Sequence, residues 1–370
     1  MMIEPIGEPK VIFHSEGVHN YFAWPTVVRT KDDAIVAACS GFRLEHICPF
    51  GKAVIAVSKD DGETFTPPQV VIDTILDDRD AGLCAFGKNG LIVTSFNNSA
   101  DFQKNRYKSP FGSKEYRARR SYVLSYYKRI DKKRAEEAFG SEFRISFDGG
   151  VTFGPTYKSP VTSPHGPIEL LDGTILWVGR VFTENVPLDG KCLEVHTVDP
   201  LSGKMKRVGE IEDVFIDGEK IDSCEPYALQ LPNGKIVCHI RVDREKKDKR
   251  VFTLYQSESS DNGKTWTTPR PILDVTGGAP AHLMLHSSGA LVCCYGYRND
   301  PPAIKAIVSK DGGENWSEPF VVCDKIAPTW DMGYPSSVEL KDGSILTVFY
   351  AHTDPNGPAN ILTQKWRMIL

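Results

Sequence analysis

The sequence predicts an all-β fold: one six-bladed β-propeller domain spanning residues 1–370, with a helical insertion around 104–139. Two repeats predict it. A β-hairpin signature recurs six times, and the pattern S-x-D-x-G-x-[TN]-[WF] occurs four times, starting at Ser58, Ser146, Ser259 and Ser309. A catalytic site needs a single copy, whereas a stacked structural unit needs many, so both repeats read as architecture.

Taken in chain order, the hairpins are "PTVVRTKDDAIVAAC", "AGLCAFGKNGLIVTSF", "GPIELLDGTILWVGR", "PYALQLPNGKIVCHIR", "AHLMLHSSGALVCCYGYR" and "PSSVELKDGSILTVFY". Each sets two β-patterned runs around a turn, most of them carrying Asn-Gly, Asp-Gly or Ser-Gly, the dipeptides that favour tight hairpins. The turn positions Ala34, Gly90, Gly173, Gly234, Gly289 and Gly343 lie 56, 83, 61, 55 and 54 residues apart, which gives six units with one enlarged. The Asp motifs follow the third strand of a unit, as in "AVIAVSKDDGETF". Their Asp residues are spaced 88, 113 and 50 residues apart, and halving the two longer steps predicts two units with degenerate copies, one of them near Asp199. Within a motif, Asp is suited to accept backbone N–H groups in a tight turn, Gly to supply a positive φ, and the aromatic to pack between blades. The spare β-patterned stretch "PKVIFHSEG" ahead of the first hairpin predicts closure of the ring into the last blade. In the enlarged unit, residues 114–139 are charged, rich in helix formers and free of Gly and Pro until the end, which predicts one long helix or two short ones. That segment would be a solvated helical face, a rim beside the pocket or a dimer contact.

Composition narrows the function classes. With 44 Lys+Arg against 48 Asp+Glu, the formal net charge is −4, which gives no electrostatic reason to expect nucleic acid or a membrane surface. No apolar run approaches the ~20 residues of a spanning helix, and the N-terminus lacks the pattern of a signal peptide. The nine cysteines form no CxxC pair, so reduced buried thiols in a cytoplasmic protein are expected, with no metal and no cofactor.

The hairpins also locate the site. In a propeller, residues just before each first strand converge on one mouth of the central channel. Here they include Trp24, Arg79, Asp80, His165, Glu225, His282, Asp331 and Tyr334. Arg43, Asn97, Arg180, Arg241, Arg298 and His352 end the second strands and face the same mouth in part, and the loop "GFRLEHICPFGK" adds His46. Carboxylates, imidazoles, a phenol and guanidinium groups in one cleft suit acid–base chemistry on a polar, anionic ligand. Glu225 with Arg241 would equally serve as an internal ion pair, and Tyr334 as core packing.

The S-x-D-x-G-x-[TN]-[WF] motif resembles the Asp box of the sialidases (neuraminidases), and "YFAWPTVVRTKDDAIVAACSGFR" resembles a first sialidase blade. The resemblance spans essentially the whole chain. It implies a sialidase-like propeller in which Tyr334 is the nucleophile, Glu225 its partner, and Arg241 and Arg298 the second and third arginines of a carboxylate clamp. Two departures stand out. The first clamp arginine is replaced by Ala23-Trp24, and the loop after the first hairpin offers Glu45 and His46 where the acid/base Asp belongs, so Asp80 or His46 would take that role. Arg79, Trp24, Arg43, His165 and His282 complete the expected substrate-binding set. The implied activity is exo-acting hydrolysis of a non-standard, acidic sugar, with Trp24 stacking on a sugar face. A propeller-type lyase acting on uronates and a non-catalytic carbohydrate-binding propeller are the alternatives, and a carbohydrate is the expected partner in each.

Overall fold

The computed structural model describes residues 2–182, 192–246, 249–273 and 280–369. Six antiparallel sheets make up the ring. Blade 1 holds strands Tyr21–Arg29, Ile35–Arg43, Lys52–Ser58 and Gln69–Ile72 in that order, and blade 2 holds Asp77–Phe86, Gly90–Asn98, Ser141–Ser146 and Tyr157–Ser159. In blade 3 the innermost position is shared by two short strands, Val161–Thr162 and Ile168–Glu169, both paired with Ile175–Val181. Leu193–Val198 and Met205–Ile211 follow. Blade 4 adds a short inner strand, Val214–Ile216, to Glu219–Gln230, Ile236–Lys246, Lys249–Ser259 and Arg270–Pro271. Blade 5 runs Ala281–Leu285, Leu291–Tyr297, Ala303–Ser309 and Phe320–Cys323.

Blade 6 is shared by the two ends of the chain. Gly333–Glu339, Ile345–His352 and Ala359–Ile369 come from the C-terminal end, and Met2–Phe13 pairs antiparallel along Ala359–Ile369 as the fourth strand. That pairing covers what would otherwise be an open sheet edge. The core lies between blades, in apolar clusters that each span neighbouring sheets, such as Ala38 and Ile55 of blade 1 with Leu83 and Val93 of blade 2.

The four Asp motifs are turn scaffolds with one geometry. In the copy at Ser58, Gly62 N–H donates to Ser58 Oγ (2.9 Å) and Thr64 N–H donates to Asp60 Oδ1 (2.9 Å). Gly150, Gly263 and Gly313 N–H repeat the first bond, and Thr152, Thr265 and Asn315 N–H the second. The motif glycines have φ of +86°, +91°, +82° and +92°. A Cβ on Gly62 would meet Leu346 of blade 6 at 2.6 Å, and one on Gly150 would meet Ile55 of blade 1 at 2.9 Å. Each turn thus presses its backbone onto the preceding blade, and a side chain at that glycine would push the two apart.

The motif spacing needs one correction. The 88-residue step from Asp60 to Asp148 joins consecutive blades and conceals no degenerate copy. It is long because three helices are inserted between the second and third strands of blade 2: α1 (Ala100–Arg106), α2 (Lys114–Arg129) and α3 (Lys132–Ala138). The degenerate turn in blade 3 is where the sequence placed it, with Leu201 N–H donating to Asp199 (3.0 Å). Blade 6, whose third strand is Ala359–Ile369, carries no copy among the described residues. Each helix begins with a side-chain cap, from Ser99, Ser113 and Asp131. Tyr107, Val123 and Tyr127 bury the insertion's inner face beside Leu44 and Phe50. Among the described residues, no helix is long and apolar enough to cross a membrane.

Candidate active site

Four first strands carry the same irregularity at the channel mouth. In blades 1, 2, 4 and 6 the register skips so that two residues face one on the second strand. The first residue of each bulge is left-handed: Trp24 (φ 55°), Asp80 (46°), Glu225 (49°) and Tyr334 (52°). Non-glycine residues in this region cost roughly 1–3 kcal/mol each and persist where the surroundings impose them. In three of the four, Pro follows as Pro25, Pro226 or Pro335. Proline has no N–H to leave unpaired in the interrupted ladder, so it fits the second bulge position. The bulge turns one side chain out of the strand's alternation and into the channel mouth.

Tyr334, Glu225 and Arg241 form a continuous chain of contacts. The Tyr334 hydroxyl donates to Glu225 Oε1 at 2.6 Å, and Arg241 Nη1 donates to Glu225 Oε2 at 2.6 Å. Arg241 is held in turn by Asp243, through Nε (2.8 Å) and Nη2 (3.0 Å). Burial alone would raise the Glu225 carboxyl, but Arg241, the Tyr334 hydroxyl and Arg298 outweigh it and hold the group below the usual carboxylate range. Burial, then the charges of Glu225 and Asp80, push the Tyr334 hydroxyl well above its ordinary value, so it keeps its proton until a reaction removes it.

Asp80 presents the opposite case. It is 6% exposed, and its Oδ1 is buried with no hydrogen-bond partner. Burial pushes its pKa up to about 7, with Glu225 adding to the shift and Arg79 opposing it. Glu225 ionised and Asp80 protonated near neutrality are two carboxyl groups whose surroundings drive their pKa values apart, as a base and an acid in one cleft require. Arg298 completes the group. Its Nε donates to Met332 O (2.9 Å) and its Nη2 to the Tyr350 hydroxyl (3.4 Å), and its guanidinium lies 5.7 Å from the Tyr334 ring centre. It makes no ion pair with any described residue. Its hairpin lies close because Gly296 meets Gly333 backbone to backbone, where a Cβ on Gly296 would sit 2.8 Å from Gly333 Cα.

A second cluster converges on Asp331. Its carboxylate accepts from Tyr21 (2.8 Å), Tyr350 (3.1 Å), His46 Nδ1 (2.8 Å) and His352 Nε2 (3.1 Å). Burial would raise this carboxyl, but His352, His46 and Tyr21 reverse the direction and hold it far below the usual range. His352 Nδ1 also faces the Gly357 carbonyl (2.8 Å), so both ring nitrogens meet acceptors and only the imidazolium satisfies them. His46 is shifted down, by burial first and then by Arg79 and Arg43, against Asp331.

Several predicted contacts fall elsewhere. Trp24 is 1% exposed and lies beneath the guanidinium of Arg79, 3.9 Å from its ring centre, so it supports an arginine and offers no face to a sugar. Arg43 is fully buried, paired with Asp77 (2.6 Å) and tied to the His46 carbonyl (2.9 Å), so it braces the loop instead of meeting substrate. His165 and His282 have 0% and 4% exposure, with ring centres 5.2 Å apart inside the channel. Burial pushes His165 down to about 3 and His282 well down, so both are neutral fillers of the channel. Arg79 stands at the mouth and donates to the His46 carbonyl (2.8 Å). His46 stands at the Asp331 cluster, joined to the Tyr334 group through Tyr350 and Arg298. Sequence reasoning missed Tyr21, Asp243 and Tyr350. Asp243 follows Arg241 at a two-residue spacing on one strand face, which is a usable signal.

Residues 115–347 match the family model described as the BNR repeat-like domain. No curated protein sequence matches the chain. Among solved structures, a protein of unknown function from Dyadobacter fermentans is similar over 99% of both chains, with a TM-score of 0.74 and 22% identity. The NanB sialidase of Streptococcus pneumoniae is similar over 97% of this chain and 70% of its own, with a TM-score of 0.66 and 12% identity. An α-L-arabinofuranosidase from Fusarium graminearum is similar over 98% of both chains, with a TM-score of 0.62 and 13% identity. At these identities the likeness is one of fold: a sialidase-like six-bladed propeller.

Proposed function

We propose, from the premise that the chain belongs to the BNR repeat-like domain family, that it is a retaining glycoside hydrolase acting on an acidic sugar other than ordinary sialic acid. The observation that carries the reading is the 2.6 Å hydrogen bond from Tyr334 to an ionised Glu225, in the same cleft as a protonated Asp80. Tyr334 Oη attacks the anomeric carbon while its proton passes to Glu225, and Asp80 protonates the departing oxygen. A covalent aryl glycoside on Tyr334 Oη results, with the proton on Glu225 and the freed leaving group carrying the proton from Asp80. Water then attacks the same carbon, Asp80 takes the water proton, and Tyr334 leaves as its oxygen recovers the proton from Glu225, which restores every group.

The acidic specificity rests on Arg298. A half-buried guanidinium that meets only a carbonyl and a hydroxyl among the described residues has donors to spare for an anion, and a substrate carboxylate would supply one. Arg79, lying over Trp24, adds a second cation from the neighbouring blade. A bidentate arginine at position 23 or 24 is absent, so α-sialosides should turn over slowly. The nine cysteines being buried free thiols supports placement in a reducing, cytoplasmic compartment.

The test is a panel of 4-methylumbelliferyl glycosides and uronate-containing oligosaccharides, with products followed by mass and ultraviolet absorbance. Release of a reducing acidic sugar with retained anomeric configuration supports the reading. An unsaturated, ultraviolet-absorbing product would make the protein a lyase, and saturable binding without turnover would make it a binding module.

A further inference from the structure

Trp330 stands in the loop ahead of the sixth inner strand with 62% of its surface exposed. Its ring centre lies 5.3 Å from that of His46; His46 lies 5.0 Å from Trp24, and Trp24 lies 6.5 Å from Tyr334. The exposed indole therefore belongs to the wall that ends at the Tyr334–Glu225 pair. A single exposed aromatic is ordinary on a protein surface. What distinguishes this one is the imidazole beside it.

His46 is held from several directions. Its Nδ1 lies 2.8 Å from Asp331 Oδ1, and its carbonyl accepts from Arg79 Nη1 (2.8 Å) and Arg43 Nη2 (2.9 Å). The helical insertion braces the same loop, since the Tyr107 hydroxyl donates to the Ile47 carbonyl (3.1 Å) and also meets Glu45. An ionised carboxylate can only accept, so the proton of His46 resides on Nδ1 and Nε2 carries a lone pair. Nε2 makes no hydrogen bond to any described residue, and the side chain is 24% exposed, so an oriented acceptor is left open beside a flat apolar face. This is the arrangement that a hydroxylated ring satisfies: its apolar face covers the indole, and a hydroxyl donates to the imidazole.

We propose that Trp330 and His46 form the subsite for the leaving group, and that this group is a neutral sugar ring which donates a hydroxyl hydrogen bond to His46 Nε2. The proposal rests on the hydrolase reading above and adds to it that the natural substrate is an oligosaccharide: an acidic sugar at Tyr334 joined to a neutral one over Trp330. A carboxylated ring would bring its charge against an acceptor lone pair backed by Asp331, and an aromatic aglycone would use the indole while leaving Nε2 unmet.

Two measurements test this. In the first, kcat/KM is compared for a 4-methylumbelliferyl glycoside and for a disaccharide with the same acidic sugar and a neutral second ring. Turnover of the aryl glycoside reports on Tyr334, Glu225 and Asp80; the ratio of disaccharide to aryl glycoside reports on the subsite, so the two readings fail separately. Trp330→Ala and His46→Phe should each lower that ratio about tenfold or more, chiefly through KM, and His46→Gln, which places an amide oxygen near the Nε2 position, should recover part of it. A ratio within about threefold of wild type in both Trp330→Ala and His46→Phe would overturn the proposal. The second needs no turnover: saturation-transfer NMR with free glucose, galactose, arabinose and glucuronate. A signal from at least one neutral sugar that disappears in Trp330→Ala supports the subsite. No signal from any neutral sugar, an unchanged signal in the variant, or a preference for glucuronate would overturn it.

Discussion

Tyr334 and Asp80 carry the residue-scale expectations. Tyr334→Phe removes one hydroxyl that donates to Glu225 and leaves the Glu225–Arg241 pair in place. Turnover should fall by about 10²–10⁴ while the folded state and most substrate binding survive; a loss below tenfold, measured on the substrate found in the panel, would remove Tyr334 from the nucleophile's role. Asp80 should set the alkaline limb of the pH profile. Its carboxyl is raised to about 7, so the acid form needed to protonate the leaving oxygen disappears as pH rises through that value. The same shift has a stability sign. A group that holds its proton more tightly folded than unfolded favours the native state below the unfolded value near 4, and that contribution is lost as pH rises toward 7. Asp80→Asn should therefore abolish turnover of substrates with poor leaving groups, yet raise the melting temperature at pH 8 relative to wild type, with the gain fading by pH 4. Equal melting temperatures at pH 8 would show that Asp80 ionises without cost in the folded protein.

At the scale of elements, the Asp turns and the inner-strand bulges divide the labour. The turns fasten blades together. Bonds from Thr265 and Ser259 hold the Asp261 carboxyl down to about 2, and the equivalent Asp60, Asp148 and Asp311 are held there too. A carboxyl with a lowered folded value stabilises above its unfolded value near 4 and loses that contribution as pH falls toward 2. These carboxyls lie near solvent, so the effect is modest. Asp261→Ala should lower the melting temperature at pH 6 by a few degrees, narrow the gap from wild type near pH 2, and leave turnover per folded molecule unchanged; a stable variant without activity would contradict the structural role. The bulges aim side chains. Their sequence mark is a charged or aromatic residue followed by proline, as in Trp24-Pro25, Glu225-Pro226 and Tyr334-Pro335, but Asp80-Ala81 lacks it. The proline signal therefore finds three of the four, and only the register reveals the fourth.

The ring as a whole depends on its closure. Phe13 is fully buried, and Met2–Phe13 supplies the only cover along the outer edge of Ala359–Ile369 among the described strands. Removing residues 1–17 exposes that edge and opens the contact between blades 6 and 1. The truncated protein should melt several degrees lower, since each 1 kcal/mol lost shifts a domain of this size by about 1 °C and a whole strand with its pairing is removed, and it should self-associate through the bare strand. An unchanged melting temperature and a monomeric profile in size-exclusion chromatography would show that the closure adds nothing.

The sequence by itself determined the blade count, the closing strand and the blade-joining turns, because these depend on local chemistry: alternating apolar runs, Asn-Gly and Asp-Gly turns, and an Asp beside a positive-φ glycine. It also named Tyr334, Glu225, Arg241, Arg298 and Asp80, since strand rank alone sends them to one mouth. Which residues at that mouth remain open was settled only by packing. Trp24 and Arg79 come from different blades, and the sequence has no means of stating that one guanidinium covers the other's indole. Arg43, His165 and His282 have the right rank and lie too deep, because depth along a channel is fixed by how six sheets twist against one another. The enlarged 88-residue step misled for a related reason: a spacing records how much chain intervenes, and only the tertiary structure decides whether that chain forms another blade or three helices braced against the loop that carries His46.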